Sequence, residues 1–280
     1  MKLQMEIMTL YTFRQPLLEL LVEFVGVREA LNFASTCQSH SMERKWIIEN
    51  CALVDHNHIA ELRHRSIHPK YIWAIVYRFE DLQLLPPATT DLYFYDDFND
   101  PLHDATLPPA LTHCTFGAAF NESLERVTLP PKLTHLTFGY FFNDFLQNVL
   151  LPSNLTHLTF GSCFDQSLDN VTLPSSLTHL TFGYHFNQPL DNVMLPLTLT
   201  HLTFDKLYNQ PLVGVKLPPK LTHLTFGYCF DQPLDGVALP STLKHLTFVG
   251  RFNQPLDNVS LPPTLTHLMF GFWFNQPLEK

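Results

Sequence analysis

Glycine and cysteine are both scarce in this sequence. Ten glycines, most of them at one position of an internal repeat, leave little room for the glycine-rich loops that bind phosphate groups. The five cysteines are an odd number without a CxxC pair, which favours a reducing compartment over a disulfide framework. They are Cys37, Cys51, Cys114, Cys163 and Cys229.

Long apolar runs and a surplus of positive charge are absent as well. No stretch approaches the roughly 18–20 apolar residues that span a bilayer, and the N-terminus is a poor signal peptide. The net charge is −9, and residues 85–280 hold 8 Lys or Arg against 16 Asp or Glu. We therefore expect an intracellular protein, cytoplasmic or nuclear, that binds neither membrane nor nucleic acid.

What the sequence does contain is a 22-residue repeat over residues 85–280. Leu-Pro opens every copy, and we number the copies repeats 1 to 9 and the positions within each copy 1 to 22. Repeat 9 stops after 20 residues at Lys280. The copies begin at Leu85, Leu107, Leu129, Leu151, Leu173, Leu195, Leu217, Leu239 and Leu261.

Repeat 5, LPSSLTHLTFGYHFNQPLDNVM, shows the physical pattern. The alternation in Thr-His-Leu-Thr-Phe predicts a short strand with Leu180 and Phe182 on one face. With Leu177 they give the LxxLxL spacing of leucine-rich repeats, and neighbouring copies must stack to bury these side chains. The sequence therefore predicts a solenoid: a leucine-rich-repeat-like parallel β array of nine 22-residue repeats.

The consensus LTHLTFGxxFNQPLDNVxLP resembles the FNIP repeat, a variant of the leucine-rich repeat found in social amoebae and large DNA viruses. The resemblance covers residues 85–280. If the chain is viral, an infected host cell is its expected location. Local departures from the consensus leave the predicted fold unchanged, and they are Thr89, Cys114, Tyr95, Asp205 and Val249.

Residues 1–84 lack the repeat and are predicted to form a small α-helical domain. The run from Pro16 to Trp46 resembles an F-box, which implies docking on a Skp-type adaptor of a cullin ubiquitin ligase, although Gln15-Pro16-Leu17 departs from the usual Leu-Pro opening. We predict an F-box-like domain over 1–50, a helical connector and N-terminal cap over 51–84, and the solenoid over 85–280. Alternatively, the helices only cap the array. The residues implied in adaptor binding are Pro16, Leu17, Leu20, Leu21 and Phe24.

Position 7 is histidine in eight repeats, on the strand face opposite the apolar side chains. A metal stripe is one interpretation, but equivalent imidazoles on neighbouring strands point in parallel directions, whereas a metal needs converging ligands. We expect a surface row without bound metal. These residues, here called the histidine ladder, are His113, His135, His157, His179, His201, His223, His245 and His267.

Two further polar patterns have structural explanations. Position 15 is Asn or Asp in every repeat, and such side chains commonly bond turn backbone groups. Acidic side chains also crowd repeat 1, where a calcium site is conceivable but an exposed acidic edge is favoured. They are Asp91, Asp96, Asp97, Asp100 and Asp104.

Positions 12 and 13 vary most between repeats, at the predicted rim of the sheet. Aromatic residues beside polar ones are typical of interface hot spots, although loop tips also vary when nothing constrains them. The candidate target-binding residues are Tyr140, Phe141, Tyr184, His185, Tyr228, Arg251, Phe272 and Trp273.

No nucleophile with an adjacent base, paired carboxylates or cofactor motif is evident, so we expect no enzyme activity and no cofactor. The leading hypothesis is a substrate receptor of a Skp/cullin-type ubiquitin ligase, with the F-box-like helices binding the adaptor and the solenoid binding an unknown target protein. The alternative is a stand-alone scaffold whose helices only cap the array. A metal-buffering protein is a more distant third class.

Overall fold

The computed structural model describes residues 51–54 and 71–277, with side chains from residue 74 onward. The described residues fall into two parts, with residues 51–53 and 71–72 in one and residues 54 and 73–277 in the other. All nine repeats belong to the second part. The predicted F-box-like helices lie outside the described residues.

Short parallel strands dominate the described chain. A 3₁₀ helix, Phe79–Leu84, precedes the first repeat. Two strands precede that helix: β1, Cys51–Val54, and β2, Tyr71–Val76. The strands of repeats 1 to 9 are β3 (Asp91–Phe94), β4 (His113–Thr115), β5 (His135–Thr137), β6 (His157–Thr159), β7 (His179–Thr181), β8 (His201–Thr203), β9 (His223–Phe226), β10 (His245–Phe248) and β11 (His267–Met269).

The described parts of the predicted helical connector and N-terminal cap, residues 51–84, contain two strands besides the 3₁₀ helix Phe79–Leu84. Val76 of β2 pairs with Phe94 of β3 in parallel register, and Ala74 and Val76 are buried. The β-branched side chains of Ile72, Ile75 and Val76 favour the extended state. Pairing with β3 also satisfies backbone groups that the first repeat would otherwise leave open.

The register follows directly from the period of the repeat. Each strand from β2 to β10 pairs in parallel with the next, and equivalent positions lie side by side, as for His157 and His179 or Leu158 and Leu180. Because side chains alternate across a strand, one face collects the position-8 leucines and the other the position-7 histidines. A single 22-residue period thereby produces continuous rows of identical side chains.

The core consists of stacked layers of the apolar positions. In repeat 5 the side chains of Leu177, Leu180, Phe182, Phe186 and Leu190 are each at most 1 % exposed. The rings of Phe182 and Phe186 stack with centroids 3.8 Å apart. Each repeat thus covers the apolar face of its neighbour, which confirms the predicted strand facing and the need for stacking.

The spacing between equivalent rings changes across the solenoid. Between repeats 5 and 6 the centroid distance is 4.2 Å for the position-7 histidines, 5.4 Å for the position-10 phenylalanines and 6.0 Å for the position-14 rings. A spacing that widens from one side to the other requires curvature. The solenoid is therefore curved, with its histidine face on the concave side.

The position-15 side chains join successive repeats, as predicted for structural Asn and Asp residues. Asn187 Oδ1 accepts a hydrogen bond from the backbone N–H of Asn209 at 2.8 Å, and the Gln210 amide donates to the Asn187 carbonyl at 2.9 Å. The same backbone bond to a position-15 side chain joins every successive pair of repeats. These bonds fix the turns that follow the strands.

The glycine at position 11 allows the backbones of adjacent repeats to approach closely at the strand end. A Cβ atom on Gly161 would overlap the carbonyl oxygen of Gly139 in the preceding repeat. The turn containing positions 12 and 13 begins at this point, so the close contact also determines where the variable side chains lie.

Candidate interaction surface on the concave face and its rim

The histidine ladder forms a continuous stack on the concave face. Successive ring centroids are 4.1–4.2 Å apart, with interplanar angles between 9° and 20°. The predicted surface row is thus present, and its rings contact one another face to face.

Threonines at position 6 orient the rings. The hydroxyl of Thr156 donates to the carbonyl oxygen of Thr134 at 3.0 Å and lies 2.9 Å from Nδ1 of His157. Because a hydroxyl has one proton, its oxygen then accepts a bond from Nδ1–H, which leaves Nε2 unprotonated in the neutral ring. The same threonine–histidine contact occurs at seven of the eight rings of the ladder, and the exception is His245, which follows Lys244.

The ladder does not form a convergent metal site. Lone pairs at Nε2 lie in the ring planes, so near-parallel rings direct them in parallel, whereas zinc sites require ligands that converge tetrahedrally. Among the described residues, no group of three or more His, Cys, Asp or Glu side chains is arranged to hold a metal ion.

Burial on the concave face lowers the pKa of several ladder histidines. It is the largest cause for His135 and His201, whose pKa values fall from 6.5 to about 4, and repulsion from neighbouring histidines adds to it. The pKa values of His157, His179 and His223 are also lowered, again chiefly by burial.

The acidic side chains of repeat 1 bond to separate partners. Asp91 contacts Nδ1 of His113 at 3.2 Å, Asp96 accepts a bond from the Tyr93 hydroxyl, and Asp100 accepts one from the Phe79 backbone. Another carboxylate of this edge, Asp104, pairs with Arg126. These groups do not converge as calcium ligands do, and they form an acidic edge.

The variable positions 12 and 13 lie on a regular backbone at the rim of the concave face. The N–H of position 13 donates to the position-12 carbonyl of the preceding repeat, as from Leu207 to Tyr184 at 2.9 Å and from Cys229 to Lys206 at 2.8 Å. The same bond is present from repeat 2 to repeat 8. The rim therefore carries differing side chains on a uniformly bonded backbone, unlike a loop tip that nothing constrains.

The predicted target-binding residues all occupy this rim. Tyr140 and Phe141 are 50 % and 54 % exposed and pack edge to face, with centroids 4.8 Å apart. Trp273 is 60 % exposed, and the adjacent Phe272 is fully exposed. The remaining predicted residues are the partly buried Tyr184 and Tyr228 and the exposed His185 and Arg251.

Sequence reasoning missed Lys206. Its Nζ lies 4.8 Å from the ring centroid of Tyr184 and 5.9 Å from that of Tyr228, and the guanidinium of Arg251 lies 5.3 Å from the Tyr228 ring. These residues are about one repeat apart in sequence. Comparing positions 12 and 13 of consecutive repeats would have revealed the alternation of aromatic and basic residues.

Parallel strands, one per repeat, and a continuous apolar core define the class of this protein as a leucine-rich-repeat-like β-solenoid. The chain belongs to the FNIP repeat family. The FNIP Repeat model matches residues 82–119, 98–141, 120–163, 164–206, 208–250 and 252–280. No curated protein matches the chain significantly.

A solved structure supports the same class. The chain is similar to CroV588, whose crystal structure is described as a novel circular LRR protein structure, with 40 % sequence identity and a TM-score of 0.62. The match covers 75 % of this chain and 35 % of CroV588, so the chain corresponds to about a third of that protein's length. The family match begins at residue 82, and the F-box-like region remains a prediction.

A repeat solenoid of this type is typical of non-enzymatic scaffolds that bind other proteins. Within residues 51–54 and 71–277, no helix is long and apolar enough to cross a membrane.

Proposed function

We propose that this protein is a receptor that binds a target protein along the rim of its solenoid and presents it to a second partner. The observation that carries the proposal is the rim itself: positions 12 and 13 differ from repeat to repeat on a backbone that is bonded identically. Selection of partners requires variable side chains, and preorganisation of the backbone lowers the cost of binding.

The exposed aromatic pair in repeat 3 supports a protein partner. Tyr140 and Phe141 are each about half exposed, and Phe145 in the same repeat is 57 % exposed where most repeats have proline. Aromatic residues are enriched in interface hot spots because they bury a large area at low entropic cost. Repeat 3 is therefore the expected anchor for the target.

Photo-crosslinking tests the rim. A photoreactive amino acid at Phe141 should crosslink the target, whereas the same group at the exposed Asn192, which lies in a turn away from positions 12 and 13, should not. Equal crosslinking from both sites would contradict a rim-specific interface.

The second partner proposed is a Skp-type adaptor of a cullin ubiquitin ligase, bound by the F-box-like residues Pro16, Leu17, Leu20, Leu21 and Phe24. This part rests on the sequence resemblance of residues 16–46. The purified chain should co-elute with eukaryotic Skp-type adaptors. Leu20→Glu should abolish that co-elution while leaving the melting temperature of the solenoid unchanged.

A matched control is Leu197→Glu, the same change at a leucine that is 70 % exposed in the solenoid. It should leave adaptor binding intact. If the unmodified chain binds none of several adaptors, the ubiquitin-ligase role is refuted. The stand-alone scaffold then becomes the favoured function, because the paired strand β2 would serve as part of a cap.

A further inference from the structure

The charged side chains at positions 12 and 13 are segregated along the solenoid. Asp96 and Asp97 occupy these positions in repeat 1, and Lys206 and Arg251 occupy them in repeats 6 and 8. The repeat region as a whole is acidic, with 16 Asp or Glu against 8 Lys or Arg. A positively charged stretch at the rim is thus an exception within an acidic protein.

Aromatic rings hold both basic side chains in place. We call Tyr184, Lys206, Tyr228 and Arg251 the basic rim strip. Lys206 lies over the Tyr184 ring at 4.8 Å and faces Tyr228 at 5.9 Å, and Arg251 lies over Tyr228 at 5.3 Å. Cation–π contacts of this kind restrict long side chains without neutralising their charge. The hydrogen bond to Tyr184 also raises the pKa of Lys206 above its ordinary value.

The strip leaves its basic groups available to a ligand. Arg251 is exposed and Lys206 is partly exposed, and neither forms an ion pair in the described part of the chain. The backbone beneath them is bonded from repeat to repeat, with Cys229 N–H donating to Lys206 at 2.8 Å and Arg251 N–H donating to Tyr228 at 2.8 Å. The two cations therefore lie on a regularly bonded backbone and form no ion pair with any described residue.

We propose that the basic rim strip binds an extended acidic segment of the target protein, with two carboxylates three residues apart. Lys206 and Arg251 lie two repeats apart, about 10 Å along the solenoid at roughly 4.8 Å per strand. In a polyproline II segment, residues i and i+3 lie on the same face about 9.3 Å apart, which matches this separation. The partly exposed Tyr228, which lies in repeat 7 between Lys206 and Arg251, would contact the side chains between the two carboxylates.

The net charge argues against a nucleic acid as the occupant. A nucleic acid would bring a row of phosphates towards a chain of charge −9, and two cations cannot offset that repulsion. A short peptide with two carboxylates places its negative charge only at the strip.

The inference rests on the proposed rim interface, and it can be tested with the full chain. Phage-displayed random 12-residue peptides are selected on the immobilised protein, and enriched peptides are measured by fluorescence anisotropy. We expect enriched peptides to carry Asp or Glu at positions i and i+3 more often than the input library. Binding of these peptides should weaken as salt increases.

The variant Lys206→Glu/Arg251→Glu should weaken binding at least about tenfold, because two charge-assisted contacts become repulsive. Lys206→Gln/Arg251→Gln should have an intermediate effect, and it removes charge without adding repulsion. The matched control is Lys132→Glu/Lys220→Glu, the same charge change at two exposed lysines at position 4, which should alter binding less than about twofold. Thermal melting of each variant checks the fold.

The inference is refuted if no peptides are enriched or if the enriched peptides carry no acidic pair. It is also refuted if Lys206→Glu/Arg251→Glu and Lys132→Glu/Lys220→Glu weaken peptide binding equally. Tighter binding of a 12-nucleotide single-stranded RNA than of any peptide would also refute it, in favour of a nucleic acid. Photo-crosslinking separates this outcome from failure of the proposed function. If crosslinking at Phe141 persists while the strip variants bind peptide normally, the rim remains an interface and only the acidic-segment inference fails.

Discussion

Acidification should destabilise the solenoid through the histidine ladder. Between pH 6.5 and about 4 an unfolded chain protonates its histidines, whereas His135 and His201, with pKa values of about 4, remain largely neutral in the folded protein. The unfolded state therefore binds more protons in this window, and stability is lost as pH falls through it. Above pH 6.5 both states are neutral and this contribution is fully present.

The size of the effect follows from the pKa difference. A fall from 6.5 to about 4 corresponds to at most about 3 kcal/mol per histidine, and solvent screening of these partly exposed rings reduces this to about 1 kcal/mol. His135 and His201 together then contribute about 2 kcal/mol, and the lowered pKa values of His157, His179 and His223 act in the same direction. For a domain of this size, about 2 kcal/mol corresponds to a melting temperature lower by roughly 4–8 °C at pH 4 than at pH 7.

Thermal melting followed by circular dichroism between pH 7 and 4 measures this loss. Carboxylates also titrate at the acidic end, and Asp91 and Lys244 lie close enough to the ladder to influence its charge. A variant with glutamine at His157, His179, His201 and His223 isolates the ladder, because it retains every carboxylate. Its profile should be distinctly flatter.

Three outcomes show whether the histidine ladder causes the loss of stability at low pH. Salt should reduce the loss only in part, because burial is a larger cause of the lowered pKa values than histidine–histidine repulsion. An unchanged pH profile in the glutamine variant would refute the reasoning. Strong stabilisation by zinc at neutral pH that disappears in that variant would show that the ladder binds metal.

The remaining predictions concern stacking and the bonds between repeats. Phe182→Ala should destabilise the protein by about 3–5 kcal/mol in chemical unfolding, and Tyr184→Ala at the rim by less than about 1 kcal/mol; similar losses would contradict the assigned facing. Asn209→Ala removes the acceptor of two bonds from repeat 7 and should cost about 1–2 kcal/mol, whereas the exposed Asn192→Ala should cost less than about 0.5 kcal/mol. Gly161→Ala should lower the melting temperature, because its Cβ would overlap a backbone carbonyl that has little room to move; an unchanged value would show that adjacent repeats can separate.

Much of the fold was predictable because one period controls it. An unbroken 22-residue repeat brings equivalent residues side by side, so alternation within Thr-His-Leu-Thr-Phe was enough to assign Leu180 to the core and His179 to the opposite face. The structural role of position 15 followed from the known preference of Asn and Asp for backbone bonds in turns. The rim was found by comparing copies, since positions 12 and 13 vary most between repeats.

Residues outside the repeat were harder to predict. Tyr71–Val76 lies outside the 22-residue period, so the sequence did not distinguish its strand from the predicted helical connector. Pairing with β3 satisfies the backbone groups of β2 and thereby stabilises this segment as a strand. No local sequence pattern encodes that pairing.

The sequence by itself determined the solenoid, the identity of its core and the row of histidines, because all three depend on periodicity and on the alternation of side chains. Only the tertiary structure decided the curvature, the burial that lowers the pKa of His135 and the position of Lys206 between Tyr184 and Tyr228. These properties depend on distances between residues about 22 or more positions apart. Such distances arise only once neighbouring repeats have packed.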